Sequence, residues 1–143
     1  MTFREIEYGS PAFRDGCELR NRMLWLSVGL NLFEANLDHE RQELHFGLFD
    51  DDTLLACVIA VPISPNVAKI RQMAVSPTRQ GRGCGRSIIQ DLEKNLAGKG
   101  FRHLFMHARL TAAVFYEKLG YLTTGPEFLE VGLPHVRMEK VLP

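Results

Sequence analysis

The sequence lacks the features that mark several large classes of protein. None of its apolar runs approaches the length of a membrane-spanning helix, and its first residues contain no apolar signal region. It also lacks an excess of either charge, because 17 basic and 17 acidic residues give a formal net charge of zero. A broad electrostatic attraction to nucleic acid or to an anionic membrane is therefore not expected. We expect a cytoplasmic protein that has neither nucleic acid nor a membrane as its partner.

Cysteine is scarce, and its distribution excludes two further kinds of architecture. The three cysteines, Cys17, Cys57 and Cys84, are scattered and odd in number, which favours a reducing compartment over a disulfide framework. No cysteine and histidine pair has the spacing of a zinc site. The adjacent carboxylates of residues 50–52 lack the alternating ligand positions of a calcium loop. We therefore expect no bound metal.

The composition and the pattern of apolar segments predict one α/β domain spanning residues 1–143. Apolar residues make up 45% of the chain and charged residues 24%, as in an ordinary soluble domain with a substantial core. Two apolar runs flank the turn residues 50–53 and predict a β-hairpin, and a further strand is predicted at residues 67–75. A helix separates that strand from another at residues 101–107, and this order predicts a parallel crossover.

The remaining segments predict helices on both faces of a central mixed sheet. Residues 3–8 alternate between apolar and polar side chains and predict an edge strand. A helical stripe from residue 12 to about residue 28 ends at Gly29, and a second short helix is predicted at residues 111–119. Residues 121–142 predict a closing antiparallel pair of strands.

A glycine-rich turn joins the strand at residues 67–75 to the helix predicted at residues 87–96. Alternating glycines tolerate positive φ and leave backbone N–H groups exposed at the positive end of a helix, which is the arrangement that holds a pyrophosphate. The turn has neither the Walker pattern nor the spacing of the Rossmann fingerprint. It matches the pattern [Q/R]-x-x-G-x-[G/A] as Gln80-Gly81-Arg82-Gly83-Cys84-Gly85.

This turn resembles the acyl-CoA pyrophosphate loop of the GNAT superfamily of N-acetyltransferases. Residues 112–121 are similar to the family pattern A-x-x-x-Y-E-K-x-G-[F/Y], with Tyr116 at the tyrosine position. Residues 127–140 resemble the F-x-E-x-G-[I/L]-P-H-x-x-M-x-K ending of small bacterial YjcF-like GNAT proteins. The resemblance covers residues 67–121 well and the first third of the chain only loosely. It implies a single-domain GNAT fold, with a mostly antiparallel mixed sheet, two splayed parallel strands and helices on both faces.

The resemblance also implies a reaction, with acetyl-CoA as co-substrate and a primary amine of a small molecule or peptide as acceptor. The amine would attack directly in a ternary complex. Backbone groups of the strand at Met73 and Val75 would pair with pantetheine, and one N–H would stabilise the developing oxyanion. Tyr116 would protonate the departing thiolate. The cofactor-binding residues so implied are Met73, Ala74, Val75, Gln80, Gly81, Arg82, Gly83, Cys84, Gly85, Arg109 and Tyr116, with Arg79 as a further source of charge.

Three of these residues also have a plain structural interpretation. Tyr116 fits a helix-packing aromatic, and Cys84 has no specified partner that would make it a nucleophile. Arg109 stands where many GNAT proteins have asparagine, so either it reaches the CoA phosphates or it is a solvated surface charge.

The acceptor side is less defined, because a neutral amine requires a base that the sequence does not single out. Glu130 and His135 are the catalytic candidates beside Tyr116, and we expect the tail at residues 130–135 to line the acceptor side. A turn whose histidine only caps backbone groups is the alternative. Further base candidates are His107, Glu34 and His39.

Two other functions stay open at this point. A GNAT fold could hold acyl-CoA as a sensor or interaction module with little turnover, or it could transfer the acyl group to oxygen or accept longer chains. The sequence leaves the acceptor amine unidentified and a homodimer open.

Overall fold

A long hairpin forms the middle of the sheet in the computed structural model, which describes residues 1–143. Strand β2 (Leu44–Asp50) and strand β3 (Thr53–Ser64) pair in antiparallel fashion around a turn at residues 51–52, as predicted. Asp51 takes a φ of 52° there, a left-handed conformation that aspartate tolerates better than most residues.

The other strands extend this hairpin to both sides. Strand β1 pairs with β2, β4 with β3, β5 with β4 and β8 with β5, while β6 and β7 both pair with β8. All pairings are antiparallel except the one between β4 and β5, which confirms the mixed, mostly antiparallel sheet. The bounds are β1 (Thr2–Ile6), β4 (Val67–Val75), β5 (His103–Arg109), β6 (Leu122–Thr123), β7 (Phe128–Glu130) and β8 (Leu133–Val141).

The first helical region changes its winding along its length. Helix α1 (Pro11–Arg20) is capped by the preceding Ser10, whose Oγ accepts a hydrogen bond from the Phe13 N–H at 3.2 Å. The chain then continues as a π-helical turn (Asn21–Trp25) and a 3₁₀ turn (Leu26–Val28), so the α-helix is shorter than predicted. Gly29 ends this region at a φ of 79°, as its sequence position indicates. Two short 3₁₀ turns follow, Leu32–Glu34 and Asp38–Gln42.

Helices lie on both faces of the sheet, which confirms that part of the predicted fold. Helix α2 (Cys84–Gly98) packs the buried side chains of its apolar stripe into the same core as Val58 of β3. The neighbouring residue, Cys57, points to the opposite face, where a Cβ added to Gly16 of α1 would lie 4.0 Å from the Cys57 Cβ. Helix α3 (Ala113–Lys118) shares the α2 face, because Tyr116 belongs to that core.

Strands β4 and β5 separate part-way along their length, as the predicted splay requires. Their pairing ends at Ile70 opposite Met106, although both strands continue beyond these residues. The register between β3 and β4 shifts near Gln72, and Gln72 itself has a φ of 52°. This bulge bends β4 and increases its local twist, so a gap opens between the two parallel strands.

Several boundaries differ from the sequence prediction. The strand expected at residues 101–107 runs two residues later, because Gly100 completes the preceding turn at a φ of 98°. The helix expected at residues 111–119 begins as a 3₁₀ turn and is α-helical only over α3. The closing pair expected at residues 121–142 consists of the three strands β6, β7 and β8. No helix in the structure is both long and apolar enough to cross a membrane.

Candidate active site

The gap between β4 and β5 opens into a cavity of about 800 Å³. Its lining includes the ends of the two strands and the segment that follows α1, including Trp25. Glu130 at the end of β7 and Val131 in the turn after it also line the cavity. The cavity therefore joins parts of the chain that are more than a hundred residues apart in sequence, from Leu24 to His135.

The edge of β4 that faces this gap carries backbone groups that pair with no other strand. The Ser76 N–H donates to the Leu55 carbonyl at 2.8 Å, on the side of β3. Because backbone direction alternates along a strand, the N–H and C=O groups of Met73 and Val75 point the other way, into the gap. Ala74 differs from the prediction, since its backbone faces β3 and its side chain is 3% exposed.

The glycine-rich loop has the backbone conformation predicted for it. Gly81 and Gly83 have φ values of 75° and 82°, and a Cβ at either position would meet no atom within 4 Å. Gly83 caps α2, whose first N–H groups have no acceptor within the helix. Gly85 has a packing role as well, since a Cβ there would lie 3.2 Å from Cζ of Phe115. The loop thus combines open space with free donors, which suits an anionic ligand.

The side chains around the loop differ in their exposure and in their contacts. Arg82 is exposed and forms no ion pair, whereas Arg79 contacts Asp50 at 3.2 Å between Nη2 and Oδ2. The Gln80 amide donates to the Val75 carbonyl at 3.4 Å. The Cys84 side chain is 2% exposed within the core, so only its backbone N–H faces the loop. A thiol buried in this way has no access to a substrate.

Tyr116 lines the cavity from α3 and is held by two neighbouring rings. The centroids of Phe115 and Tyr121 lie 5.0 Å and 6.0 Å from its own, both in edge-to-face geometry. Burial raises the pKa of Tyr116 to about 12, because the phenolate would lose its hydration. Its hydroxyl has no hydrogen-bond partner within the protein, in contrast to Tyr121, which donates to Glu93 at 2.7 Å. The Tyr116 hydroxyl is therefore free to interact with a ligand.

Three of the predicted base candidates meet in the lining of the same cavity. Oε1 of Glu130 lies 3.0 Å from Nδ1 of His107, and Oε2 lies 3.7 Å from Nε2 of His135. His135 is buried, and its Nδ1 donates to the Leu133 carbonyl at 2.8 Å, which directs Nε2 towards Glu130. We call His107, Glu130 and His135 the tail cluster. The tail therefore lines the cavity, and the contact of His135 with the Leu133 carbonyl also fits the alternative of a histidine that caps a backbone group. Its assignment to the acceptor side stays a prediction.

The other candidates lie in different surroundings. The Arg109 guanidinium is half-buried and donates to the Leu24 carbonyl at 3.1 Å, so neither of the two predicted arrangements describes it in full. His39 lines the cavity but is exposed, and Glu34 is exposed and does not line it. The structure therefore brings the tail cluster together and leaves Glu34 outside it.

A polar network beneath the bulge could not be found from the sequence. Nε of Arg20 donates to Oε1 of Gln72 at 2.7 Å, and Nε1 of Trp25 donates to the same oxygen at 3.2 Å. Arg20 also forms a bidentate ion pair with Glu40, which is fully buried. These residues are up to 52 positions apart in sequence, and no local pattern joins them.

The same region contains a group of potential metal ligands that is already occupied by arginines. One ligand atom each from His39, Glu40 and Glu43 lies within 4.8 Å of the others. The Glu40 carboxylate is held by Arg20, however, and that of Glu43 accepts from Arg71 at 2.8 Å. A cation here would have to compete with both guanidinium groups.

Comparison with known proteins places this architecture in a family. A family model described as the acetyltransferase (GNAT) domain matches residues 28–142. The chain belongs to the GNAT acetyltransferase family. The match contains the whole cavity lining except Leu24 and Trp25, as well as the glycine-rich loop. The resemblance to the YjcF-like branch stays a prediction.

Individual GNAT relatives agree with this assignment. YyaT of Bacillus subtilis (strain 168), an uncharacterised protein, is 36% identical to this chain over 75 residues. These residues are 52% of this chain and 51% of YyaT, so about half the length of that relative is covered. The crystal structure of a proposed N-acetyltransferase from Lactobacillus plantarum has a TM-score of 0.85 at 27% identity and covers 100% of both chains. An aminoglycoside 6′-N-acetyltransferase complexed with coenzyme A has a TM-score of 0.80, covers 99% of this chain and 97% of its own, and shares the fold at 18% identity.

Proposed function

We propose that this GNAT protein is an N-acetyltransferase that moves an acetyl group from acetyl-CoA to a primary amine of a small molecule or peptide. The amine attacks directly in a ternary complex, without a covalent enzyme intermediate. The observation that carries the proposal is one cavity of about 800 Å³ lined by the open edge of β4, Tyr116 and the tail cluster. Family membership and the structural neighbour complexed with coenzyme A support the choice of co-substrate.

The loop and the β4 edge are suited to hold CoA. Open space above Gly81 and Gly83 lets a pyrophosphate approach the backbone, and the free N–H groups at the start of α2 donate to it. Arg82 adds an exposed positive charge beside the loop. Backbone groups of Met73 and Val75 pair with the pantetheine amides as a strand edge pairs with a peptide. When bound, acetyl-CoA supplies an acetyl thioester to the cavity.

The same strand edge provides electrostatic stabilisation for the reaction. An N–H of Met73 or Val75 that points into the gap donates to the oxygen on which negative charge develops. Because the bulge at Gln72 fixes the direction of this edge, the donor is oriented before the substrate arrives. Preorganised donors of this kind typically contribute about 3 to 4 kcal/mol to a reaction barrier.

The tail cluster provides the proton acceptor that the attacking amine needs. An alkyl ammonium is largely charged at neutral pH and must lose a proton before or during attack. Glu130 accepts this proton directly or through His107 or His135, which lie beside its two oxygens. The contact between His135 and the Leu133 carbonyl keeps that imidazole oriented towards Glu130.

Tyr116, which also lines the cavity, acts on the leaving group. With its pKa raised to about 12, the hydroxyl stays protonated through the range near pH 10.4 in which a lysine-like amine loses its proton. Complete transfer to a thiolate with an ordinary pKa near 8.5 is uphill by roughly 5 kcal/mol. Tyr116 therefore acts first as a hydrogen-bond donor to the developing thiolate, and water completes the protonation.

A thiol-release assay with acetyl-CoA and a panel of amines tests this function. We expect amine-dependent release of CoA that follows the formation of acetylated amine by mass spectrometry. CoA binding in a thermal-shift assay is measured in parallel. Binding without amine-dependent release would instead support a sensor or interaction module, and absence of binding would contradict both functions.

A further inference from the structure

Lys69 is a cation in the cavity without a partner. Its side chain projects from β4 and is half-buried, and its ammonium group forms no ion pair or hydrogen bond with another residue of the protein. The nearest basic residue on the same strand face, Arg71, is different, because Nη1 of Arg71 contacts Oε1 of Glu43 at 2.8 Å. The Glu43 carboxylate is therefore already neutralised by Arg71, and the Lys69 ammonium is available to bind a ligand.

The position of Lys69 places its charge beside the tail cluster. Lys69 lies opposite Phe105 in the parallel pairing of β4 and β5, one residue before the strands separate. His107 follows Phe105 by two residues and so shares its face of the sheet. A rise of about 3.3 Å per residue and a strand separation of about 4.8 Å put the Cα atoms of Lys69 and His107 roughly 8 Å apart.

The mouth of the same cavity is apolar. Leu30, Ile63 and Val131 all line it, and they are 46%, 56% and 55% exposed. Exposed aliphatic side chains that converge on one cavity favour a ligand with an apolar portion, since covering them removes apolar surface from water.

We propose that the natural acceptor is an amine that also carries a carboxylate and an aliphatic or aromatic body. The amine is placed at the tail cluster, the carboxylate at Lys69 and the apolar body against the three residues at the mouth. This inference rests on the proposed function and names its substrate class. In the reaction the amine nitrogen forms the bond to the acetyl carbon as the carbon–sulfur bond breaks. The proton from nitrogen goes to the tail cluster, the sulfur takes a proton by way of Tyr116 and water, and the carboxylate is unchanged.

The charges of the cavity disfavour a polycationic acceptor. Of its charged residues, Glu43 and Arg71 neutralise each other, which leaves Lys69 and Arg109 against the single carboxylate of Glu130. A second ammonium group on the acceptor would be repelled where a carboxylate is attracted. This chain shares its fold with an aminoglycoside acetyltransferase, but the charges of its cavity therefore favour a different kind of acceptor.

A matched panel of amines tests the substrate class. The acceptors are ω-aminohexanoate, its uncharged amide, hexanediamine and ω-aminohexylphosphonate, with leucine and leucinamide as a shorter pair. We expect kcat/KM to be roughly 10- to 100-fold higher for the carboxylate than for the amide, the effect of one charge-assisted hydrogen bond, and lowest for the diamine. A preference for the phosphonate over the carboxylate would indicate that Lys69 binds the phosphoryl group of a phosphorylated amine. It would overturn the proposal that the acceptor carries a carboxylate.

Variants of Lys69 connect the preference to this residue. Lys69→Met should abolish the advantage of the carboxylate over the amide and leave kcat/KM for the amide near the parental value. Lys69→Glu should reverse the preference towards the diamine. Lys94→Met, at an exposed position on α2, is the matched control and should change neither ratio.

The outcomes separate this inference from the function on which it rests. If no amine in the panel or in a wider screen is acetylated while CoA binds, the proposed function itself is wrong. If neutral amines and diamines are acetylated with the same kcat/KM as the carboxylates, the proposed function stands and the substrate class is wrong. An equal loss for carboxylate and amide in Lys69→Met would also overturn the assignment, because it would show a structural role for the residue.

Discussion

Nε of Arg20 donates a hydrogen bond of 2.7 Å to the side-chain oxygen of Gln72, and this contact joins the end of α1 to the bulge of β4. Gln72 has a φ of 52°, a left-handed conformation that costs a residue with a side chain about 1 to 2 kcal/mol. The second donor, Nε1 of Trp25, comes from the π-helical turn after α1. The first helix therefore supports the opening of the gap between β4 and β5, although it lies on the opposite face of the sheet from α2.

Two substitutions of Gln72 should separate the hydrogen bonds from the backbone strain. Gln72→Ala removes the acceptor of Arg20 and Trp25 and keeps a Cβ at positive φ, so we expect a loss of about 1 to 3 kcal/mol in the free energy of unfolding. Gln72→Gly removes the same acceptor but relieves the strain, and it should retain about 1 kcal/mol more stability. Urea denaturation measures both. Parental stability in Gln72→Ala would show that the contacts with Arg20 and Trp25 contribute nothing.

The elements that the sequence predicted correctly are those with local signals. The hairpin turn at residues 51–52, the terminator Gly29 and the positive φ of Gly81 and Gly83 all follow from short-range preferences of aspartate and glycine. The hydrophobic stripe of α2 likewise predicted a buried face. Such features depend on a few neighbouring residues and are visible without the fold.

The features that were missed depend on contacts between distant parts of the chain. The bulge at Gln72 requires partners from α1 and the turn after it, and nothing in the neighbourhood of Gln72 indicates a positive φ. The Arg109 contact with Leu24 joins residues 85 positions apart. The three residues of the tail cluster were predicted as separate base candidates, but only the pairing of β5, β7 and β8 brings them together.

The charge of the glycine-rich loop should affect CoA binding without affecting the fold. Arg82→Glu places a carboxylate beside the proposed pyrophosphate site at an exposed position, so we expect CoA affinity to fall by about tenfold or more while the melting temperature of the free protein is unchanged. A concentration of CoA near 100 times the Kd should stabilise the parent by about 2.7 kcal/mol, and Arg82→Glu should lose much of this gain at the same concentration. Isothermal titration measures the affinity.

Arg14→Glu, an equal charge reversal on the exposed face of α1, is the control and should bind CoA normally. Gly83 is a poorer choice for this test, because any side chain at its φ of 82° is strained and would disturb the start of α2 itself. Equal affinity in Arg82→Glu and the parent would show that Arg82 does not contribute to CoA binding.

Removal of the Glu130 charge should impair the acceptor half of the reaction only. Glu130→Gln keeps the shape of an exposed side chain, so the fold should be unaffected, and the tail cluster loses its carboxylate. We expect kcat to fall roughly 100-fold at neutral pH, the lower range for loss of a positioned base, with CoA affinity unchanged. Steady-state kinetics and CoA titration measure these quantities. Glu127→Gln, on the exposed loop before β7, should behave as the parent. A fall in CoA affinity in Glu130→Gln would place the tail on the cofactor side instead.

Cys57 should make the protein less stable at alkaline pH. Burial raises the pKa of Cys57 from 9.0 to about 12, since the thiolate would lose its hydration between β3 and α1. Above pH 9 the unfolded chain therefore releases this proton while the folded chain keeps it, so the free energy of unfolding falls as pH rises. The slope from this group approaches about 1.4 kcal/mol per pH unit by pH 10 and is absent below pH 8. Urea denaturation of Cys57→Ala across this range should show a shallower slope than the parent, and an identical slope would contradict the assignment.

Tyr116 should contribute to turnover far more than to stability. Tyr116→Phe removes one hydroxyl that has no protein partner and keeps the ring that packs against Phe115 and Tyr121, so the melting temperature and CoA affinity should stay near parental values. If the hydroxyl donates to the developing thiolate, kcat should fall by about 10²- to 10⁴-fold, or roughly 3 to 5 kcal/mol of barrier. The loss should shrink with acetyl thioesters of more acidic thiols, because a better leaving group depends less on the donated hydrogen bond.

Tyr121→Phe is the matched control, since that hydroxyl donates to Glu93 at 2.7 Å within the core. Its removal should lower the free energy of unfolding by about 1 kcal/mol and leave turnover nearly unchanged, the reverse of the pattern expected at Tyr116. The pH profile adds a second criterion, because a pKa of about 12 predicts that ionisation of Tyr116 does not limit kcat in the range where lysine-like amines become neutral. Parental kcat in a folded Tyr116→Phe protein, under conditions where chemistry limits the rate, would leave Tyr116 as a packing residue and assign the protonation of the thiolate to water alone.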